Sequence, residues 1–289
     1  MITPVPMNKI DSEFIRICNR ILKDGKMDRN PRPKYEDGTP AHTLSINHDT
    51  MSFDLSKDEF PIMSLRPVTW RYAIREILWI YQDASNDLKL LREKYNITWW
   101  DKWALPDDTI GACYGETVRR HNLMHDLLDG LVNDPDSRYH IINLWQVEDF
   151  KEPHGLKPCC YNTVWNVRHE DDGDYLDMYM TQRSVDFAVA GSTTNQVQYA
   201  ALLCLVANHC GYKPGVYTWN GCNIQLYNRH IILVKEMLKR EPIVHKARLD
   251  INPNKKDFYS INMDDIQLIG YPEYDIKMQN PQIKFELGI

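Results

Sequence analysis

The segments Leu156-Lys157-Pro158-Cys159-Cys160 and Thr181-Gln182-Arg183-Ser184-Val185-Asp186 bracket the stretch around which the chain is organised. Between them, Tyr161 to His169 and Tyr175 to Arg183 are rich in β-branched and aromatic residues, and the acidic run Glu170-Asp171-Asp172-Gly173-Asp174 separates them as a turn. A hairpin of this kind brings its outer ends together, so Cys159 and Arg183 are expected to be neighbours. A guanidinium beside a thiol favours the thiolate, which is the attacking form. The expectation is a reactive site at the open end of the hairpin. The competing reading is an inert core cysteine beside an arginine held in a surface ion pair.

Outward from this stretch, composition sets the bounds. With 289 residues, 43% hydrophobic and 26% charged, the chain can bury one large core, and residues 1–289 are read as a single domain. A net charge of −6 argues against nucleic-acid binding through bulk charge, although a small anionic ligand needs only a local cluster of arginines. The seven cysteines are odd in number and lack a disulfide-like spacing. No leader and no long apolar run is read, so a reducing, cytoplasmic setting with no membrane and no DNA partner is expected. No repeat or low-complexity linker marks a domain boundary.

On the N-terminal side, Ile10, Phe14, Ile15, Cys18, Ile21 and Leu22 recur at helical spacing, with Gly25 placed to end the helix. Asp28 to Asp37, with Arg29, Arg32 and Lys34 among prolines, reads as a surface loop able to close on an anion, or simply as a solvated basic loop. Thr43 to Leu55 alternates as strands, and Pro67 to Tyr81 reads as a helix with an apolar stripe of Trp70, Ile74, Ile77, Leu78 and Tyr81. Glu76 sits beside that stripe, either as a surface partner of Arg75 or Lys89 or as an acid/base in a pocket wall. Trp99, Trp100 and Trp103 precede Tyr114-Gly115 and suit either a core or stacking on a flat heterocycle. His121 and His125 are read as an i,i+4 pair on one helix, without the third ligand or glutamate that a metal site needs, so no metal is assigned.

On the C-terminal side, Tyr139 to Trp145 is a β-prone segment behind the turn Asp134 to Arg138. Gln196 to Cys210 is apolar on nearly every side and reads as a buried helix ending at Gly211. Val216 to Leu226 reads as a strand, Asn228 as the cap of a helix from His230 to Arg240, and Arg248 to Ile251, Ile266 to Ile269 and Ile283 to Leu287 as short strands. No Gly-rich dinucleotide fingerprint, phosphate loop or CxxC pair occurs. The composition of elements is mixed α/β throughout.

Seven motifs then fall in one order: Trp100-Asp101-Lys102-Trp103, Tyr114-Gly115, Asp134-Pro135-Asp136-Ser137-Arg138, Pro158-Cys159, Gln182-Arg183-Ser184 with Asp186, Asn195 with Tyr199, and Leu226-Tyr227 before Arg229-His230. In this order and near these spacings the chain resembles the thymidylate synthase family, from about Ile10 to Ile289. The resemblance implies an α/β (α+β) fold of three layers around a large mixed sheet, whose face forms the interface of an obligate homodimer. It implies reductive methylation of dUMP by 5,10-methylenetetrahydrofolate, giving dTMP and dihydrofolate.

The residue roles implied by the resemblance follow motif by motif. Cys159 adds to C6 of the uracil, because C5 is a poor nucleophile until a thiolate has added. Glu76 serves proton transfer at the uracil, with Tyr114 as its neighbour. Asn195 reads the N3 and O4 edge, since an amide can donate and accept at once. Arg32, Arg183 and, from the partner subunit, Arg138 form the phosphate clamp, with Ser184 adding a hydroxyl. Tyr227 and Gln225 face the sugar. Trp100, Trp103, Asp186, Gly191 and the terminal Gly288-Ile289 contact or close over the folate, Asp186 and Arg183 also serving catalysis.

Departures from the family pattern are visible as well. Cys160 stands where many relatives have a histidine, Tyr139 where many have a second clamp arginine, and Gln225 where a histidine normally reads the sugar. Gly191-Ser192-Thr193-Thr194 replaces the usual Pro-Phe before the asparagine and is one residue longer. A wetter pocket there would let water capture the transferred carbon, making the chain a dUMP hydroxymethylase. A catalytically silent nucleotide- or RNA-binding relative is the reading from another class, against which the joint presence of Cys159, Glu76 and Arg183 argues.

Overall fold

The computed structural model describes residues 7–288, so the expected role of Ile289 falls outside the described residues. In chain order the helices are α1 (Lys9–Asp24), α2 (Trp70–Ile77), α3 (Leu88–Tyr95), α4 (Gly115–Arg120), α5 (Leu123–Asn133), α6 (Asn195–Cys210), α7 (Ile231–Met237) and α8 (Glu273–Gln279). The strands are β1 (Lys26–Met27), β2 (Thr43–Ile46), β3 (Asp49–Asp54), β4 (Ile141–Asn143), β5 (Cys160–Glu170), β6 (Gly173–Asp186), β7 (Lys213–Tyr227), β8 (Arg248–Ile251) and β9 (Ile266–Ile269).

The predicted hairpin is the β5–β6 pair, antiparallel from Cys160 opposite Gln182 to Glu170 opposite Gly173. β6 then pairs β7 in parallel, while β1, β2, β3 and β4 join antiparallel, giving a mixed seven-stranded sheet in the order β1-β2-β7-β6-β5-β4 with β3 also on β7. The parallel β6–β7 step needs a crossover, and α6 supplies it. α6 is apolar all round because it is covered all round: Val197, Ala200, Ala201, Leu202, Leu203, Leu205 and Val206 are completely buried. It ends at Gly211, whose φ of 82° is the left-handed conformation that glycine adopts without strain.

One sheet face, carrying Trp165, Leu176, Met178, Met180, Tyr217 and Trp219, is the core side. α1 and α6 lie against the sheet, and α2 packs on α6 with α3 beyond it, giving three layers. On the opposite sheet face Val164, Tyr179, Thr181, Thr218 and Cys222 remain half-buried or exposed.

Several local expectations are corrected. His121 and His125 do not share a helix: His121 closes α4, and Asn122 at φ 50° breaks the chain before α5. The β-prone run Tyr139 to Trp145 pairs only over Ile141–Asn143, since Tyr139 points into solvent. The helix expected from Pro67 starts at Trp70 and continues past Ile77 as a π-helical turn, Leu78–Gln82. Asn228 does not cap α7; its Oδ1 accepts from the Tyr35 hydroxyl at 2.5 Å, and α7 ends at Met237. Ile283 to Leu287 finds no strand partner and runs as an extended tail. The short helices α3 and α8 were not expected.

Candidate active site

The open ends of β5 and β6 meet as expected: the Arg183 backbone N–H donates to the Cys159 carbonyl at 2.9 Å. The guanidinium of Arg183 extends the link, Nε donating to Pro158 O and Nη2 to Lys157 O, each at 2.8 Å. The arginine therefore shapes the backbone that carries Cys159. Burial pushes the Cys159 thiol up, the charge of Arg183 and a contact with Tyr114 pull it down, and burial wins. Arg183 thus favours the thiolate as expected, and burial opposes it.

Tyr114 sits at the head of α4 with φ 50°, a conformation that costs a bulky residue energy. Its neighbour has to be glycine, because a Cβ on Gly115 would lie 2.1 Å from the Ser85 carbonyl oxygen. This turn aims the phenol at the cysteine, and Tyr114 Oη accepts the Cys159 backbone N–H at 3.1 Å.

A cavity of about 460 Å³ opens over these groups. Cys159, Glu76, Tyr114, Ser184, Asp186, Asn195, Trp100 and Trp103 all line it. Glu76 thus belongs to the pocket wall, and the surface ion pair with Arg75 or Lys89 is not formed. Its carboxylate takes Trp100 Nε1 on Oε1 at 2.5 Å and Gln198 Nε2 on Oε2 at 2.6 Å. Burial still holds its pKa above the ordinary glutamate value, against the pull of those donors. A carboxyl held this way in a cavity wall is a candidate proton carrier. Asn195 is held on both sides, Oδ1 by Gln182 Nε2 and Nδ2 by Gln198 Oε1, each at 2.9 Å.

The tail reaches the same cavity. Leu287 lines it, Glu286 pairs with Arg229 at 2.8 Å, and the Glu286 carbonyl contacts His230 Nε2 at 2.6 Å. The other ring nitrogen of His230 lies 3.3 Å from Asp186 Oδ2, an oxygen with no hydrogen-bond partner. Burial opposes a charge on His230, but Asp186 and the Glu286 carbonyl outweigh it and raise its pKa. Gly288 lies beside Tyr227, whose hydroxyl is 3.5 Å from its carbonyl.

Other expected residues, Arg183 among them, do not line the cavity. Tyr227 packs with Tyr35 and Ala41 below the loop carrying Arg32, and Gln225 lies opposite Asp186 on the neighbouring strand. Arg32 is exposed. Gly191 lies behind the wall, where a Cβ would press on Val185 at 2.5 Å. Arg138 is not brought in at all. The His140 carbonyl accepts from Trp165, so Arg138 stands beyond that level of β5, roughly 20 Å from Cys159 at about 3.3 Å per strand residue.

The alternative of a wetter pocket at residues 191–194 gains no support from Ser192 or Thr193. Phe187–Thr194 is wound as a π-helix, which holds more residues per turn than an α-helix. Within it Ser192 Oγ donates to Phe187 O at 2.8 Å and Thr193 Oγ1 to Val189 O at 2.5 Å. Both side chains are buried, and from this segment the cavity meets Val189, Ala190 and Thr194. The Ser192 and Thr193 hydroxyls are turned into the protein, while Thr194 faces the cavity.

Sequence reasoning missed Arg66, Gln198, Trp219 and the His230 role. Arg66 lines the cavity and donates through Nη2 to Ala188 O at 2.9 Å and Val189 O at 3.1 Å, bracing the π segment. Gln198 could have been found from its i,i+3 spacing to Asn195 on a helix; the others reach the site only through tertiary contacts. Among the described residues no group of three or more His, Cys, Asp or Glu side chains is placed to hold a metal ion, and no helix is long and apolar enough to cross a membrane.

Comparison with known proteins bears on this geometry. Residues 12–286 match the family model described as thymidylate synthase. The chain is 41% identical to the thymidylate synthase of Streptococcus gordonii, covering 98% of this chain and 100% of that protein. It is 40% identical to that of Lactococcus lactis subsp. lactis over the same shares. The solved structure of the thermostable thymidylate synthase A from Bacillus subtilis superposes with a TM-score of 0.87 at 34% identity, covering 97% of this chain and 99% of that one. With nearly the whole sequence matched and the same fold beneath it, the chain belongs to the thymidylate synthase family.

Proposed function

We propose that this chain makes dTMP by reductive methylation of dUMP, with 5,10-methylenetetrahydrofolate as co-substrate and dihydrofolate as by-product. The observation that carries the reading is that a thiol, a carboxyl of raised pKa and a side-chain amide, those of Cys159, Glu76 and Asn195, open on one cavity. A nucleophile, a proton carrier and a polar reader are what activation of a pyrimidine C5 requires.

In this reading Asn195 presents one N–H and one lone pair to O4 and N3 of the uracil. Arg32, Arg183 and Ser184 gather at the phosphate, and Tyr227 and Gln225 at the sugar. The phosphate dianion brings charge to an arginine now spent on the Lys157 and Pro158 carbonyls, so nucleotide binding also resets the loop of Cys159. The thiolate then adds at C6, and Glu76, through the hydrogen-bonded wall around it, moves protons at the uracil carbonyl and C5. The folate supplies the one-carbon unit and the hydride. The slot between Trp100, Trp103, Ile80, Val189 and Leu287, with Asp186 as its carboxylate, suits a flat ring edged with N–H donors. Water capture, the hydroxymethylase reading, finds no support in a segment whose Ser192 and Thr193 hydroxyls are already satisfied.

We further read the chain as one catalytic domain acting as a homodimer. Support for the dimer comes from the half-open sheet face and from Arg138 and Tyr139, which stand exposed at its edge and too far from Cys159 of their own chain. A two-fold partner would bring Arg138 to the neighbouring phosphate. The test of the reaction is incubation with dUMP and methylenetetrahydrofolate, following dihydrofolate absorbance and the mass of the nucleotide. Dihydrofolate and dTMP are expected in equal amounts; hydroxymethyl-dUMP without dihydrofolate would overturn the reading.

A further inference from the structure

The polar side chains in and behind the cavity wall form one unbroken hydrogen-bonded row. Trp219 Nε1 donates to Gln182 Oε1 at 2.8 Å, and Gln182 Nε2 to Asn195 Oδ1 at 2.9 Å. Asn195 Nδ2 donates to Gln198 Oε1 at 2.9 Å, and Gln198 Nε2 to Glu76 Oε2 at 2.6 Å. Three amides in a row can in principle point either way. Here the indole end decides. An indole N–H only donates, so Gln182 has to turn its oxygen to Trp219 and its amino group to Asn195. That turns the Asn195 amino group to the Gln198 oxygen and the Gln198 amino group to Glu76, where Oε1 already accepts the Trp100 indole N–H at 2.5 Å and Oε2 accepts Gln198 Nε2 at 2.6 Å. The indole end imposes the direction and the hydrogen bonds at the carboxyl end agree with it.

Reversing the Asn195 amide would set donor against donor at Gln182 Nε2 and acceptor against acceptor at Gln198 Oε1. Gln182 and Gln198 are 2% and 4% exposed, too little for water to repair either mismatch. An amide group offers two hydrogens and two lone pairs, and the row uses one of each. What remains at Asn195 is one N–H and one lone pair in a fixed order. That order complements the acceptor at position 4 and the donor at position 3 of uracil. Cytosine carries a donor at 4 and an acceptor at 3, and would need the amide reversed.

Resting on the dUMP reading above, we propose that Gln198 is a specificity-positioning residue: anchored on Glu76, it locks the Asn195 amide in the uracil-reading orientation from the side opposite Gln182 and Trp219. Gln198 itself touches neither the thiol nor, in this arrangement, the base. It also makes the proton-carrying carboxylate and the base-reading amide parts of one row, so that disturbing one end is felt at the other.

The test uses the full chain and two measurements, the dissociation constants of dUMP and dCMP by calorimetry and kcat/KM for each. Gln198→Met keeps length and removes both hydrogen-bonding roles; Trp219→Phe keeps a ring and removes the donor at the far end. Ser192→Ala, buried nearby but outside the row, controls for loss of packing. The preference for dUMP over dCMP is expected to fall about tenfold or more in Gln198→Met, one buried mismatch being worth about that factor. It should fall in the same direction in Trp219→Phe, and furthest in the double variant, while Ser192→Ala keeps the wild-type ratio. If Gln198→Met does not fold, Trp219→Phe decides alone. Equal losses for both nucleotides, with the ratio unchanged, would make Gln198 a packing residue and overturn the proposal. A wild-type chain that binds neither nucleotide would overturn the underlying dUMP reading, and the proposal with it.

Discussion

If Arg138 acts on the partner's nucleotide, two dead proteins should make a live one. His140, two residues after Arg138, stands level with Trp165, roughly 20 Å along β5 from Cys159 at about 3.3 Å per strand residue, which puts Arg138 far from the cysteine of its own chain. Replacing Arg138 by alanine removes a charged hydrogen bond of about 1.5–3 kcal/mol, which raises the dUMP KM by roughly 10- to 150-fold. Cys159→Ala removes the nucleophile. Each variant alone is then close to silent when dUMP is kept well below the raised KM. Mixed in equal amounts and allowed to exchange subunits at random, about half of the dimers are heterodimers, and each holds one complete site of two. The mixture should therefore recover about a quarter of the wild-type rate. Were Arg138 to act on its own chain, no heterodimer would hold a complete site. Native mass spectrometry reports the exchange and dihydrofolate absorbance the rate; confirmed heterodimers with activity no greater than the sum of the two variants would refute the shared-site reasoning.

Three further outcomes are expected. Cys159→Ser should abolish turnover while keeping nucleotide binding, and Cys160→Ser should keep most activity; because burial raises the Cys159 pKa, its alkylation in the free protein, read by peptide mass mapping, should climb with pH without an inflection below about 8.5. Ser192→Ala should lower stability by about 1 kcal/mol in denaturant titration, for one buried hydrogen bond, yet leave dTMP as the product; hydroxymethyl product appearing in that variant would show that the segment does control water entry. His245 is held neutral by burial, with its pKa pushed down to about 4, so as pH falls below about 6.5 the unfolded chain takes up a proton before the folded one does. Stability should be full above that pH and lose about 2–3 kcal/mol on the way to pH 4 through this group, and a His245→Leu variant whose loss over the same range is as large as wild type would contradict it.

What could be read from sequence was what local pattern encodes. The β5–β6 hairpin announced itself through β-branched runs around an acidic turn, and α6 through an apolar surface with no polar stripe. Cys159 and Arg183 followed from the hairpin alone. Glu76 was visible as a carboxylate beside an apolar stripe, but its choice between solvent and cavity was made by Trp100 and by Gln198, which is 122 positions away. The i,i+4 histidines misled because a left-handed Asn122 ends one helix and begins another, and periodicity does not register a single dihedral angle. Ile283 to Leu287 had strand-like composition but pairs with no strand of either sheet among the described residues. The thiol's raised pKa was hidden because burial, which a sequence shows only indirectly, outweighs the one visible charge.

The π-helical winding of Phe187–Thr194 bears on how this chain tolerates changes of length. A π turn holds one residue more than an α turn over the same advance, so this segment stores a spare residue directly before α6. Deleting one position there can be taken up by rewinding to an α turn, leaving Asn195, Gln198 and Tyr199 where they are. The same deletion inside α6 would swing every residue beyond it by about 100° and carry Tyr199 or Gln198 off the cavity wall. The chain can therefore gain or lose a residue at 187–194 while α6 keeps its length, and the segment acts as the joint at which the sequence can be lengthened or trimmed without moving the wall it leads into.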